Sequence, residues 1–512
     1  PRHFSQTSRI LLLSRHSLRP QLPYLSQPAL YRQQPLINYQ INRLLSAETT
    51  SRFRDQVFLT AKWLAIVWAF IFAGSLAVTA VLIELQERKN PTPAEWRFWT
   101  RQALRDAREE ANAVKEQDKV AIDWAAAGGH FRNCLKRLED ADVDGNGLFP
   151  VGGTEDGLGA EEILIPGVGK AGFDITRKSY EWRTCYFEVL MGCGLAAEHL
   201  DGMMVDLTRK FVFPRSMVVG PSNPDPRPVP SFMGHGIAPL EENCEPAYPA
   251  PETYYMRILT GKGFTTKQKL QAAEAYANWL DYKGLPASAE EMYRWAIDIS
   301  KAAMPVPAGV VLDETTNVLK EDAGKEATPN LLRATTALAI HHARTGNVSA
   351  ALPMLLSILR ARRDAPVSPT PYSSRFDSDA DTKSRTDIGQ GIAFVRNVFR
   401  SAQFADPPAS GDEPLTRPSP RPICEESEIM LYIGEIIFAN DDNDQRKSEG
   451  LGWTRQAVRI AEMSLEDPEM QLAEKRKCRE CLLAGVQNLE TMLRQLSVRQ
   501  KTTAAREGGR SG

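Results

Sequence analysis

The sequence predicts an all-α fold: an α-solenoid of helical hairpins, preceded by a transit peptide and one transmembrane helix. Three observations predict it. Residues 63–83 carry no charge. Small and aromatic residues in 270–300 return at the same offsets in 338–358, as they do in stacked helix pairs. No run of alternating apolar and polar residues is convincing as a strand.

Composition agrees. The 512 residues are 42% hydrophobic and 25% charged, which excludes wholesale disorder and a multi-span transporter. The net charge of −2 hides an asymmetry: residues 1–54 hold eight Arg, no Lys and one acid, Glu48, for +7, leaving −9 on the rest. An acidic body excludes nucleic acid as the partner, because phosphate binding needs a basic face. Seven Cys are too few for a disulfide scaffold. Cys478 and Cys481 form a CxxC without a second pair to complete a zinc site, and read as a structural thiol pair on a helix.

Residues 1–45 contain Arg2, Arg9, Arg15, Arg19, Arg32 and Arg43 and no acid. Such an Arg-rich, acid-free segment reads as a mitochondrial transit peptide. Arg43-Leu44-Leu45-Ser46 resembles a matrix processing site cleaved after Leu45. A short matrix segment, 46–62, leads to the span at 63–83. Its 21 residues would be about 31 Å long as a helix, against a hydrocarbon core of about 30 Å. Trp63 and Trp68 lie toward one end, where interfacial aromatics belong. Arg52, Arg54 and Lys62 precede the span, whereas Glu84, Glu87, Arg88 and Lys89 come after it and cancel. The positive side predicts an N-terminus in the matrix and a body in the intermembrane space.

Helical hairpins are expected over 92–212. Thr92-Pro93-Ala94-Glu95 reads as a capping box with Pro at the first helical position. Trp96, Trp99, Ala103, Ala107, Ala111 and Val114 form one apolar face. Val120, Trp124, Phe131, Leu135 and Leu138 mark the returning helix. A Pro-rich connection covers 213–251, with nine Pro between 221 and 251.

Repeats are expected over 252–363. Tyr276-Ala277, Leu280, Gly284, Ala289, Tyr293 and Ala296 carry the first. Ala277 and Ala289 are small where two antiparallel helices touch, and Gly284 suits a helix end of positive φ. Leu338-Ala339, Gly346, Ala351, Leu355 and Ile358 repeat the frame. This pattern resembles the tetratricopeptide (TPR) repeat. Residues 364–424 read as a mobile insertion with room for a helix, its parts 364–386 and 404–424 being rich in Ser, Pro and Asp. A poorer third repeat and a capping helix occupy 425–499. Ile433-Gly434 and Ile437 open that repeat, and the polar stretch NDDNDQRKSEG displaces its second helix to about 451–465. Residues 500–512 read as a disordered tail.

No motif carries catalysis. Gly167-Val168-Gly169-Lys170-Ala171-Gly172 fits GxGxxG but lacks the βαβ setting of a dinucleotide site. Asp142-Val143-Asp144-Gly145-Asn146-Gly147 opens like a calcium loop, yet the twelfth position is Gly153, so it reads as a turn. The His spacing supplies no metal ligand set, and no nucleophile elbow appears. The expectation is a non-enzyme without cofactor or metal.

The inner helices of TPR arrays line a groove for peptides. The inward offsets give Gln271, Glu274, Asn278, Asp281 and Tyr282, then Arg333, Thr336, Ile340 and Arg344. Tyr282 and Arg333 are the expected anchors, because aromatic and Arg side chains dominate such contacts. Glu274 stands where the carboxylate clamp for chaperone C-termini needs Lys, so that clamp is absent.

The layout, the segment EWRFWT at 95–100 and residues 269–299 together resemble the fungal TPR adaptor subunit family of the mitochondrial inner-membrane i-AAA protease. The resemblance implies a non-catalytic inner-membrane subunit that captures unfolded or misassembled membrane proteins and passes them to the protease. A TPR scaffold or assembly factor for an inner-membrane respiratory or translocase complex shares this layout and stays open as the alternative.

Overall fold

The computed structural model describes residues 47–112, 122–151, 164–165, 169–229, 237–367, 404, 407–417, 423–440, 443–467, 470 and 472–508. The transit peptide at 1–45 and residues 368–403 of the insertion lie outside them. The chain divides into two units, 1–86 and 87–512.

Helix α1 (Ala47–Lys89) makes up the described part of the first unit and runs three residues into the second. Its stretch Arg52–Arg88 is long and apolar enough to cross a membrane. Trp63, Trp68, Phe70 and Phe72 are each more than half exposed on it. A helix packed on a soluble core would bury one apolar stripe and turn a polar face outward. The segment before 63 continues the same helix from Ala47.

The second unit is mostly helical, and each helix packs on the next. Helix α2 (Phe98–Ala111) lies against α3 (Trp124–Glu139), and α3 against α4 (Tyr180–His199). Ala103 and Ala107 face the core as expected, but Trp99 is 67% exposed. Val114 and Val120 lie outside the described residues. The capping box at Thr92 does not form. Thr92 donates from its backbone N–H and hydroxyl to the buried Glu87 carboxylate, each at 2.7 Å, and the helix starts five residues beyond Pro93. Asp144 caps α2 instead, accepting from the Arg97 N–H at 3.1 Å and the Thr100 hydroxyl at 2.5 Å. That is the work of the calcium-like turn, whose twelfth position, Gly153, lies outside the described residues.

Short strands add to the helical reading of 92–212. β1 (Met203–Asp206) pairs antiparallel with β2 (Phe211–Pro214) and with β3 (Cys244–Pro246). Two-residue ladders join Phe149–Pro150 to Phe173–Asp174 and Leu164–Ile165 to Gly169–Lys170. Strands of two to four residues are too short to show alternation, so the sequence hides them.

Helix α5 (Pro251–Thr260) leads into three hairpins. They are α6 (Thr266–Tyr282) with α7 (Pro286–Ala303), α8 (Pro329–Arg344) with α9 (Val348–Asp364), and α10 (Cys424–Asn440) with α11 (Asp444–Leu465). α7 packs on α8 and α9 on α10, and α12 (Leu472–Gly508) closes the series against α10 and α11. Gly284 and Gly346 turn the first two hairpins at φ +75° and +84°, a conformation L side chains resist.

Four expectations change here. From Asp444 on, the polar stretch before 451 is helix and not loop: α11 begins there, with Asn443 accepting from the Gln445 N–H at 3.0 Å. Its charged residues form a solvated helix face. α12 runs to Gly508, so 500–508 are helical, and 509–512 lie outside the described residues. Residues 407–417 are fastened rather than mobile. The Asp412 carboxylate accepts from Thr266 at 3.0 Å and from the Asn330 amide at 2.7 Å, joining the starts of α6 and α8. The Leu415 N–H donates to the Ala327 carbonyl at 2.8 Å. Cys478 also departs from its expected place beside Cys481: it forms a disulfide with Cys424, which ties α12 to the start of α10.

Candidate functional site

The candidate groove lies along α6 and α8. Reciprocal capping fixes the start of α6: Thr265 accepts from the Gln268 N–H while Gln268 accepts from the Thr265 N–H. Thr328 caps α8, with Pro329 at its first position. Burial of Leu270, Ala273 and Ala277 on one helix and Leu331, Ala334 and Leu338 on the other fixes both rotations.

The structure brings several predicted residues together, largely with one another. The Arg333 guanidinium donates to both oxygens of Glu274 at 2.5–3.0 Å. Burial raises the Glu274 pKa, and Arg333 only partly opposes this. Asp281 lies 3.0 Å from His341 Nδ1. The Tyr293 hydroxyl donates to Asn278 Oδ1 at 2.9 Å, and burial, followed by Asp281, raises its pKa.

These pairs determine what the face can offer. Glu274 and Arg333 neutralise each other, and Asp281 is engaged by His341. Arg333 is therefore not the free anchor the sequence suggested: truncating it would leave a largely buried carboxylate without its cation. Thr336 turns its hydroxyl back to the Leu332 carbonyl at 2.6 Å. Ile340 is half-buried, while Gln271 and Arg344 are exposed. Tyr282 is 81% exposed and stacks on Trp279 of its own helix at 5.5 Å, not on α8. Lys283 sits over the Trp279 ring at 5.2 Å and pairs with Asp201 at 2.6 Å.

Asn278 has the most directed polar group. Because Tyr293 holds its carbonyl oxygen, its amide N–H groups have no protein partner among the described residues, and the residue is exposed. An amide donor held in this way suits a peptide carbonyl. Sequence reasoning placed Asn278 on this face, gave Tyr293 only a place in the repeat pattern and did not single out His341. The signal for their further roles is non-local: Tyr293 is 15 residues from Asn278 and His341 is 60 from Asp281.

The remaining motifs serve the fold. Gly172 lies where a Cβ would come 2.1 Å from the Arg257 carbonyl oxygen, so it permits two backbones to cross. Gly169–Lys170 belongs to an antiparallel ladder, not to a strand feeding a phosphate-binding helix, and Gly167 lies outside the described residues. Among the described residues no group of three His, Cys, Asp or Glu could hold a metal ion. Comparison with family models, with curated proteins and with solved structures gives no match to this chain.

Proposed function

We propose that the protein is a non-catalytic TPR adaptor of the mitochondrial inner membrane. In this reading α1 is its single span, the N-terminus is in the matrix, and the body is in the intermembrane space. The body binds unfolded or misassembled membrane proteins and presents them to an i-AAA protease.

One observation carries the binding step: the exposed Asn278, its carbonyl oxygen held by Tyr293, offers an amide donor on the face of α6. A donor for backbone carbonyls reads any extended segment, whatever its side chains. The internal pairing of Glu274 with Arg333 fits the same reading, because it leaves little charge to select one sequence. Micromolar capture corresponds to about −8 kcal/mol, within reach of a few such contacts. The hairpin series supports the repeat assignment: Ala277, Ala289, Ala339 and Ala351 are all fully buried, and the 62 residues between the turn glycines are one 34-residue repeat plus about 28 residues of connection.

Affinity purification of the full chain from mild-detergent mitochondrial extracts tests the partners. The expected result is co-purification of AAA-protease subunits with a heterogeneous set of incompletely assembled membrane proteins. Recovery of only a fixed, stoichiometric set of respiratory or translocase subunits would replace the adaptor with the assembly scaffold.

A further inference from the structure

The Tyr293 hydroxyl has one proton and two acceptors within reach. It donates to Asn278 Oδ1 at 2.9 Å, and Asp281 Oδ2 lies 3.4 Å from the same hydroxyl. A free carboxylate is the stronger acceptor of the two, because hydrogen bonds to a charged group are roughly twice as strong as those between neutral groups. The shorter bond nevertheless goes to the amide. Burial, and then Asp281, raises the Tyr293 pKa, so the proton in contention stays on the hydroxyl.

His341 supplies the reason. Its Nδ1 lies 3.0 Å from Asp281 Oδ2, the same oxygen that competes for the tyrosine proton. The residue is 1% exposed, and its Nε2 has no partner among the described residues. A neutral imidazole has one N–H to place. Only Nδ1 faces an acceptor, so the proton lies there and His341 donates to Asp281. The ring also packs against Tyr293, centroids 5.1 Å apart, which holds both side chains in place. Without His341, Asp281 Oδ2 would draw the Tyr293 proton. The tyrosine oxygen would then offer Asn278 only lone pairs, and the amide would turn over, N–H groups toward Tyr293 and carbonyl outward. The exposed end of Asn278 would become an acceptor where it had been a donor.

We propose that His341 is a positioning residue of the candidate groove: by occupying Asp281 it sends the Tyr293 proton to Asn278, and so makes the site read backbone carbonyls rather than backbone N–H groups. The proposal rests on reading the α6–α8 face as a site for extended chain. His341 acts there through Asp281 and Tyr293, from a buried position on α8, 63 residues along the chain from Asn278.

The test uses the full chain in nanodiscs and two probes of one sequence: an extended apolar peptide, and the same peptide N-methylated at alternate residues, which keeps its carbonyls but loses those N–H groups. Wild type should bind both within about twofold, less than one hydrogen bond is worth. His341→Phe should bind the N-methylated peptide about fivefold more weakly than its parent, the equivalent of one hydrogen bond of about 1 kcal/mol. His341→Asn, whose amide nitrogen falls near the Nδ1 position, should behave as wild type. His341→Gln, whose nitrogen falls near Nε2, should behave as the Phe variant, and it carries the comparison if His341→Phe does not fold. Adding Asp281→Ala to either should restore equal binding, because the competing acceptor is gone; a loss of packing alone would not be repaired by a second truncation. Equal binding of the two peptides by His341→Phe or His341→Gln, or a preference that survives Asp281→Ala, overturns the proposal and spares the capture reading. No binding of either peptide by wild type overturns both.

Discussion

The first and third hairpins close the same kind of helix crossing in different ways. In α6–α7 the crossing is lined by Ala277 and Ala289, both fully buried, and the turn passes through Gly284. In α10–α11 it is lined by Gly434 and Gly450. A Cβ on Gly434 would stand 2.5 Å from Thr454 Oγ1 and 2.9 Å from the Gly450 carbonyl, and one on Gly450 would stand 2.6 Å from the Gly434 carbonyl. A methyl layer spaces the first crossing, whereas the third brings backbone against backbone.

The attachments differ as well. The first hairpin meets the second through apolar contacts of α7 with α8 and through the Glu274–Arg333 pair. The third is tied by charge and covalent bond. Its Glu426, 1% exposed, pairs with Arg417 at 2.8 Å and with Arg363 at 3.5 Å, while Cys424 is bonded to Cys478. Apolar packing thus governs the opening of the series, and specific links govern its end. The two parts should fail under different insults.

Arg417→Met should have the largest effect. It strips the closer cation from a fully buried carboxylate and should cost about 3–5 kcal/mol. Urea unfolding checks this, and a loss below about 1 kcal/mol would make the link no better than a surface pair. Cys478→Ser should cost about 2–4 kcal/mol. Hydrogen exchange should then quicken in α12 while α6 and α7 keep their protection; equal loosening of both would erase the contrast.

The crossings themselves come next. Ala289→Leu should cost about 1–3 kcal/mol through overpacking. Gly434→Ala, a single methyl, should cost a similar amount because the methyl meets backbone. Glu290→Ala should stay within about 0.5 kcal/mol. Melting temperatures of Ala289→Leu or Gly434→Ala equal to wild type would remove the distinction between spaced and touching crossings.

The smallest effect is on pH dependence. Burial holds the Glu274 pKa above its unfolded value, so folding favours the protonated form. Its stabilising contribution is complete below the unfolded pKa of about 4.3 and is lost as pH rises through the folded pKa. Glu274→Gln should therefore flatten the stability profile just above about pH 4. An unchanged profile would mean that Arg333 fully offsets burial.

The sequence shows what is local and hides what is not. Ala277, Gly284 and Ala289 occur within 13 residues, and that spacing alone marks a hairpin. Thr92 had the right neighbours for a capping box but found Glu87, and Asp144, 44 residues beyond Thr100, took the cap. The pairing of 244–246 with 204–206 leaves no periodic trace, because each strand is too short. Residues 407–417 look solvated by composition, yet a single carboxylate, Asp412, fastens them to two helix starts. Of the groove, helical spacing marks the face but not which of its side chains are already engaged. Glu274 and Arg333 find each other across 59 residues, and Asn278 is held by a tyrosine on the next helix.

The proposed capture of extended chain by the α6–α8 face, without regard to sequence, is open to direct measurement. The direct measurement is the binding of the full chain in nanodiscs to a reduced, alkylated model protein and to its native form, without ATP. The account predicts micromolar affinity for the unfolded form and at least about a tenfold preference over the native one, a difference of about 1.4 kcal/mol. Asn278→Ala combined with Tyr282→Ala should weaken that binding by a similar factor, with the thermal melt lowered only by the lost Tyr293 hydrogen bond, about 1–3 kcal/mol. Equal affinity for both forms, or binding indifferent to Asn278 and Tyr282, would contradict it.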